Sequence, residues 1–335
     1  MDSESSSQPQ PATKPEPTVV GIGASAGGLA ALKTFLANVP ADSGLAVVVV
    51  VHLSPTHESH LAELLQPHVP FPVLQVADTM RLEPNHVYVI PPNANLNTID
   101  THLRLSKLED RRQERAPIDH FFRTLASTHD GHAIAVVLTG TGSDGTLGIK
   151  DVKANGGLVI VQDPNEAEYD GMPQSAIATG LADFILPVAQ MPGAILRYNS
   201  VEPKVPAPKD GEEVPQLDRV VLQKIFLQLK TRTDRDFSRY KRSTVLRRIA
   251  RRMQLNYLED MPRYLERLRE HPEEVRALAD DLLITVTHFF RDAEVFQRLE
   301  DIEVPRLFRN RHASVVIRVW SVGCATGEEA YSLAM

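Results

Sequence analysis

Three side chains of this sequence could together cleave an ester: Ser25 in "GIGASAGG", His52 in "VVVHLSP" and Asp144 in "GTGSDGTLGI". A serine hydroxyl attacks a carbonyl when a base takes its proton. Imidazole can do so near neutral pH, and a carboxylate fixes the imidazole tautomer and stabilises the cation it becomes. Unpaired backbone N–H groups of Ala26, Gly27 or Gly28 at a helix start would stabilise an oxyanion formed at Ser25. Each residue also has a plainer reading. Serine is a good N-cap, a histidine ending a strand can simply be hydrogen-bonded in place, and aspartate in a Gly-rich turn is an ordinary turn former.

The same glycines admit a nucleotide reading, because Gly21, Gly23 and Ala26 satisfy G-x-G-x-x-G/A after a strand. That fingerprint calls for an acid about 20 residues on, where this chain ends its second apolar run with His52. A metal reading of His57, His60 and His68 fares no better. "HESHL" puts Leu61 where the second ligand of H-E-x-x-H would stand, so these read as solvent-facing helix histidines and no metal site is expected.

Residues so far apart can meet only if strands deliver them to one edge. The runs "TVVGIG", "GLAVVVVVHL", "PNHVYVIPP", "AIAVVLTG" and "GGLVIVQD" are β-branched and alternate with amphipathic segments. This is the pattern of parallel strands buried on both faces, so residues 18–199 predict a doubly wound, mainly parallel α/β domain. Its strand ends would gather Ser25, His52 and Asp144 at the C-terminal edge. Residues 200–216, "SVEPKVPAPKDGEEVPQ", hold four prolines among charges and predict a linker. Residues 217–300 then show three- and four-residue apolar spacing, as in "STVLRRIARRMQLNY", and predict a small all-α domain. Residues 301–335 end in "VVIRVWSVGCATGEEAYSLAM", which predicts a strand, a glycine turn and a helix start: the first βα unit of a second, Rossmann-like α/β domain, truncated.

The formal net charge of −7 over 335 residues argues against an overall field that draws the chain to nucleic acid. The stretch 230–252 is locally basic, with ten Lys/Arg and the acids Asp234 and Asp236. On a helix, Leu246, Ile249 and Met253 would form an apolar stripe, with Arg247, Arg248, Arg251 and Arg252 elsewhere. That basic face reads as solvated or as a dock for an acidic helix; it lacks the interleaved aromatics of a nucleic-acid site. A lone Cys324 allows no internal disulfide, and residues 1–17 form a polar, Pro-rich leader expected to be disordered. With no apolar run near the roughly 20 residues of a membrane span, a cytoplasmic protein without membrane insertion is expected.

Residues 18–195 resemble the catalytic domain of the chemotaxis protein-glutamate methylesterases through "GIGASAGG", "VVVHLSP", "NHVYVIPPN", "RAPIDHFF", "GTGSDGTLGI" and "GMPQSAI", in that family's order. The family's serine, histidine and aspartate fall on Ser25, His52 and Asp144. The resemblance implies hydrolysis of γ-glutamyl methyl esters on chemoreceptor-like proteins, without a cofactor, and in some members deamidation of glutamine. Ala26 and Thr141 stand where members often have Thr and Met, and the short leader stands where typical members carry a phosphoacceptor domain.

Residues 216–335 resemble the partner enzyme, the receptor methyltransferase, through "RTDRDFSRYKRSTVLRRIARRM", "TVTHFFRDAEVF" and "VWSVGCATGEEAYSLAM". That resemblance implies S-adenosylmethionine as cofactor, with Thr287 and Arg291 at its carboxylate end and Glu328 helping to hold it. Thr285 replaces a usual Asn, and the remaining strands of that fold do not follow. Methylation by this chain alone is therefore not expected.

Overall fold

The computed structural model describes residues 17–53, 59–107, 116–129, 131–205, 216–284, 289–291, 293–309, 317–325 and 327–335. The leader, His57, Thr285, Thr287 and most of the Pro-rich linker lie outside these. The chain divides into two units, Met1–Leu282 and Leu283–Met335.

The first unit begins with β1 (Thr18–Ala24), α1 (Gly28–Ala37), β2 (Leu45–Val51) and α2 (Leu61–Leu65), followed by the short strands β3 (Val73–Gln75), β4 (Thr79–Arg81) and β5 (His86–Val89). Next come β6 (Ala94–Ile99), β7 (His102–Lys107), α3 (Pro117–Thr128), β8 (Ile134–Val137), α4 (Gly148–Ala154), β9 (Leu158–Gln162), α5 (Gly171–Ala178), β10 (Phe184–Leu186) and α6 (Met191–Asn199). Seven strands form one sheet in the order β10-β9-β8-β1-β2-β5-β3, every pairing parallel. Every residue of β2 is buried, as are all but the first of β1, which is why these runs are apolar without alternation. A second, antiparallel sheet joins β4, β7 and β6.

Helix α3 packs directly on β1, and the fingerprint glycines serve this contact. A Cβ on Gly21 would lie 2.8 Å from Cε1 of Phe121, and one on Gly23 would run into the Ile118 side chain. Their smallness brings a helix onto the sheet. It does not open a cradle for phosphate.

Helices α7 (Gln216–Thr233), α8 (Arg242–Leu255), α9 (Met261–Glu270) and α10 (Pro272–Leu282) complete the first unit around Ile225, Leu229, Ile249, Met253, Tyr264, Leu268 and Leu278. Asp260 caps α9 by accepting from Arg263 N at 2.9 Å. The stripe of Leu246, Ile249 and Met253 is buried as its spacing requires. The arginines beside it depart from expectation: Arg248 and Arg251 are each only 3% exposed and point at the sheet domain.

The second unit contains α11 (Ala293–Arg298), a π-helical turn at Leu299–Glu303, α12 (Val304–Phe308) and α13 (Glu328–Ala334). The helix predicted after the glycine turn is α13. The strand predicted before it is not paired among the described residues, and Val319, Trp320 and Val322 are 63%, 88% and 71% exposed. A strand is stable only where neighbours take its backbone hydrogen bonds and its side chains. No helix of the described residues is long and apolar enough to cross a membrane.

Candidate active site

Strand β1 stands at the point where the sheet order reverses, with β2 and then β5 on one side and β8, β9 and β10 on the other. Crevices at such points, beyond the C-terminal strand ends, are where open α/β sheets place their ligands. Ser25 follows the last residue of β1 and His52 the last residue of β2; Ala24 and Val51 are register partners, so the two side chains emerge side by side. Gly23 is likewise paired with Val137, and the loop after β8 carries Asp144 back over the same edge.

The three groups meet. Nδ1 of His52 lies 3.0 Å from Oγ of Ser25, and its Nε2 lies 2.8 Å from Oδ2 of Asp144. The imidazole is about a third exposed, whereas the Asp144 carboxylate is nearly covered. An Nε2–H donated to the carboxylate leaves Nδ1 bare toward the serine, the tautomer a proton acceptor requires; this assignment follows from the bonding pattern. The capping alternative for Ser25 does not hold. Helix α1 starts after Gly27, which sits at φ 74°, and no side chain caps it.

Asp144 is held by backbone donors. Its Oδ2 accepts from Ile118 N at 3.1 Å, and its Oδ1 accepts from Asp119 N at 2.9 Å and Gly145 N at 2.8 Å. The first two are orphan N–H groups of the first turn of α3, whose dipole favours an anion there. Asp119 repays the contact, since its Oδ1 accepts from Gly148 N at 2.6 Å at the start of α4. Burial, aided by the charge of Asp144, pushes the Asp119 carboxyl up to about 6.

Under the serine, Ser25 N donates to Thr139 O at 3.0 Å, and Thr139 N donates to Oε1 of the buried Gln162 at 2.7 Å. The Thr139 hydroxyl accepts from Tyr169 N at 2.9 Å. A Cβ on Gly140 would lie 2.8 Å from the Ser25 Cβ, so this loop can lie against the serine only as glycine. Of the three N–H groups expected to face an oxyanion, that of Gly28 is taken, because it donates to Ser25 O at 2.9 Å. Those of Ala26 and Gly27 have no acceptor among the described residues. Thr141 is exposed on the neighbouring loop.

Sequence reasoning did not single out Asp119, Thr139 or Gln162. Asp119 lies in "RAPIDHFF", yet nothing in residue type or spacing reveals that its N–H and its carboxylate serve two different helix starts.

The residues implied for a cofactor lie in the second unit. Glu328 opens α13 and Arg291 lies just before α11. Phe290 N donates to Oγ of Ser332 at 2.9 Å, and that hydroxyl donates to Glu328 O at 2.7 Å, so one serine ties the segment next to Arg291 to the start of α13. Gly323 and Gly327 turn the chain there at φ 74° and 105°. No cluster of metal-ligating side chains occurs among the described residues.

Fold and site together define an α/β domain of the ester-hydrolase class. Residues 20–195 match the family model described as CheB methylesterase, residues 221–283 that of the CheR methyltransferase all-alpha domain, and residues 285–335 that of the CheR methyltransferase SAM binding domain. The chain is 34% identical over 179 residues to a putative protein-glutamate methylesterase/protein-glutamine glutaminase of Leptospira interrogans, covering 53% of this chain and 93% of that one. It is 40% identical over 294 residues to an uncharacterized 104.1 kDa protein of Rhodobacter capsulatus, covering 82% of this chain and 31% of that one. The crystal structure of the Thermotoga maritima CheB methylesterase catalytic domain superposes with a TM-score of 0.50 at 32% identity, over 54% of this chain and 97% of that one. The chain belongs to the CheB methylesterase family, with CheR-type methyltransferase domains following in the same polypeptide.

Proposed function

We propose that Ser25, His52 and Asp144 hydrolyse glutamyl methyl esters on methyl-accepting chemoreceptor-like proteins through an acyl-enzyme. The carrying observation is the single imidazole bonded on one side to the Ser25 hydroxyl and on the other to the Asp144 carboxylate. In the first step Nδ1 of His52 takes the Ser25 proton as Oγ attacks the ester carbonyl. The oxyanion faces the N–H groups of Ala26 and Gly27, and the methoxy group leaves as methanol with the proton returned by His52. Water then attacks the acyl-serine with His52 again as base, releasing the glutamate side chain and the free hydroxyl. The same sequence on a glutamine amide releases ammonia, which matches the second activity in the names of the relatives.

The reading is tested by release of labelled methanol from a methylated receptor. The full chain should release it, and Ser25→Ala should lower the rate by about 10⁴-fold or more while leaving the unfolding temperature nearly unchanged. Equal rates in the two proteins reject it.

For residues 285–335 we infer S-adenosylmethionine as the cofactor, which supplies an activated methyl group when bound. Thr287, Arg291 and Glu328 are the residues that would hold it, and Gly323, where a Cβ would meet nothing within 4 Å, suits a ligand lying close to backbone. No transfer step is assigned to this chain alone. The lone Cys324 suits a reducing cytoplasm as the setting.

A further inference from the structure

Helix α8 carries its arginines into the sheet domain. Arg248 donates Nη1 to Lys153 O at 2.6 Å and Nη2 to Ala154 O at 2.5 Å, two carbonyls at the negative C-terminal end of α4. One turn on, Arg251 donates Nε to Gly157 O at 3.1 Å and Nη1 to Oδ2 of Asp281 on α10 at 2.6 Å, and its Nη2 pairs with Asp183. Lys153 of α4 also pairs with Asp183 and lies 3.6 Å from Oδ1 of Asp281. Lys153, Asp183, Arg251 and Asp281 are all at most 6% exposed, and Arg248 beside them is 3% exposed.

The two ion pairs interlock across the contact, Arg251 with Asp183 and Lys153 with Asp281. The sheet domain contributes Lys153 and Asp183, and the helices contribute Arg251 and Asp281, each side bringing one of each sign and each cation reaching both anions. Burying four charges is costly unless each finds partners, so a surface of this composition suits one matching surface and few others. The contact continues through Gln254, whose Nε2 donates to Tyr198 O at 3.1 Å, and through Lys204 N, which donates to Glu259 O at 2.7 Å just before residues 206–215.

Its position in the fold matters. Gly157 and Asp183 immediately precede β9 and β10, at the N-terminal edge of a sheet whose strands are all parallel. Ser25 and His52 leave the opposite edge, the length of a strand away, roughly 15–20 Å. We propose that the arginine face of α8 is a dedicated intramolecular dock, which joins the helical domain to the esterase domain as one body from behind and leaves the Ser25 rim uncovered.

The test uses the full chain with a site-specific protease sequence placed within residues 206–215. After cleavage, the two pieces should co-elute on gel filtration at about 1 µM, a concentration at which weak contacts dissociate. In the cut Arg248→Ala/Arg251→Ala chain, association should weaken at least ~100-fold, because the Asp183 and Asp281 carboxylates lose the Arg251 cation, and the carbonyls of Lys153 and Ala154 lose the Arg248 donors, while buried. Circular dichroism of the uncut variant establishes that it folds. Should it not fold, the cut unmutated chain alone decides. Unmutated pieces that elute apart with native spectra overturn the proposal, as does undiminished co-elution of a folded double variant.

Discussion

At the residue scale, the proposed hydrolysis depends on which nitrogen of His52 carries a proton, and the Asp144 carboxylate beside Nε2 favours the proton there. An asparagine in its place would still accept from the start of α3 but would no longer require the Nε2–H tautomer. Asp144→Asn should therefore cut kcat for methyl release by about 10⁴-fold with little change in KM, read from steady-state kinetics on a methylated receptor. Asp119 offers a separate test of the same corner. Its carboxyl is raised to about 6 in the fold, whereas an unfolded aspartate titrates near 3.9. Between about pH 4 and 6 the native state therefore holds a proton that the unfolded chain has released. This contribution favours the fold at the acid end of the window and is lost as pH rises through about 6. Asp119→Asn should flatten that part of the curve of urea-unfolding stability against pH, since an amide does not titrate. An unchanged slope would place the proton elsewhere. Ser25, His52 and Asp144 could be picked out because ester chemistry demands those three types. Asp119 could not, because its importance lies in two backbone N–H groups whose neighbours are assigned by packing.

At the element scale, α3 links sheet packing to chemistry. Its inner face lies on Gly21 and Gly23, while its first turn holds Asp144. Gly21→Val should push Phe121 outward and destabilise the fold by about 1–3 kcal/mol, the usual cost of overpacking. It should also lower kcat, because the helix start that orients Asp144 moves with it. Thermal unfolding and methyl-release rates measured on the same preparation check both effects, and a stability loss without a kinetic one would separate α3 from the site. The doubly buried strands were legible in the sequence from their unbroken β-branched runs. Helix α8 was legible from its stripe, but the side of it that meets another domain was not: arginines on a helix look alike whether they face water or a buried aspartate. Near Val319 and Trp320 the expected strand has no paired neighbour among the described residues, and a strand's ladder depends on such a neighbour.

At the scale of the molecule, the buried charges behind the sheet couple the two domains of the first unit to acid. Burial alone would raise the Asp183 carboxyl, but Arg251 and Lys153 outweigh it and hold the group below the usual carboxylate range. Its contribution to stability is thus complete above the unfolded value near 3.9 and is lost as pH falls through the lower, folded value. Stability of the full chain should drop as pH falls below about 4, and Asp183→Asn should remove part of that slope while lowering stability near neutral pH. Chemical denaturation at a series of pH values measures both, and equal slopes would mean that the pair carries no linkage.

Composition and order of residues by themselves determined a parallel α/β domain, a helical domain after a Pro-rich break, and three groups of the types that acyl transfer uses, because periodicity, punctuation and functional-group chemistry are local properties. Tertiary structure alone decided that Gly28 has no free N–H for an oxyanion, that Gly21 and Gly23 seat a helix, and that Arg248 and Arg251 face inward. Each of those outcomes depends on which atom arrives from a distant part of the chain, and long-range packing, not residue type, selects that atom.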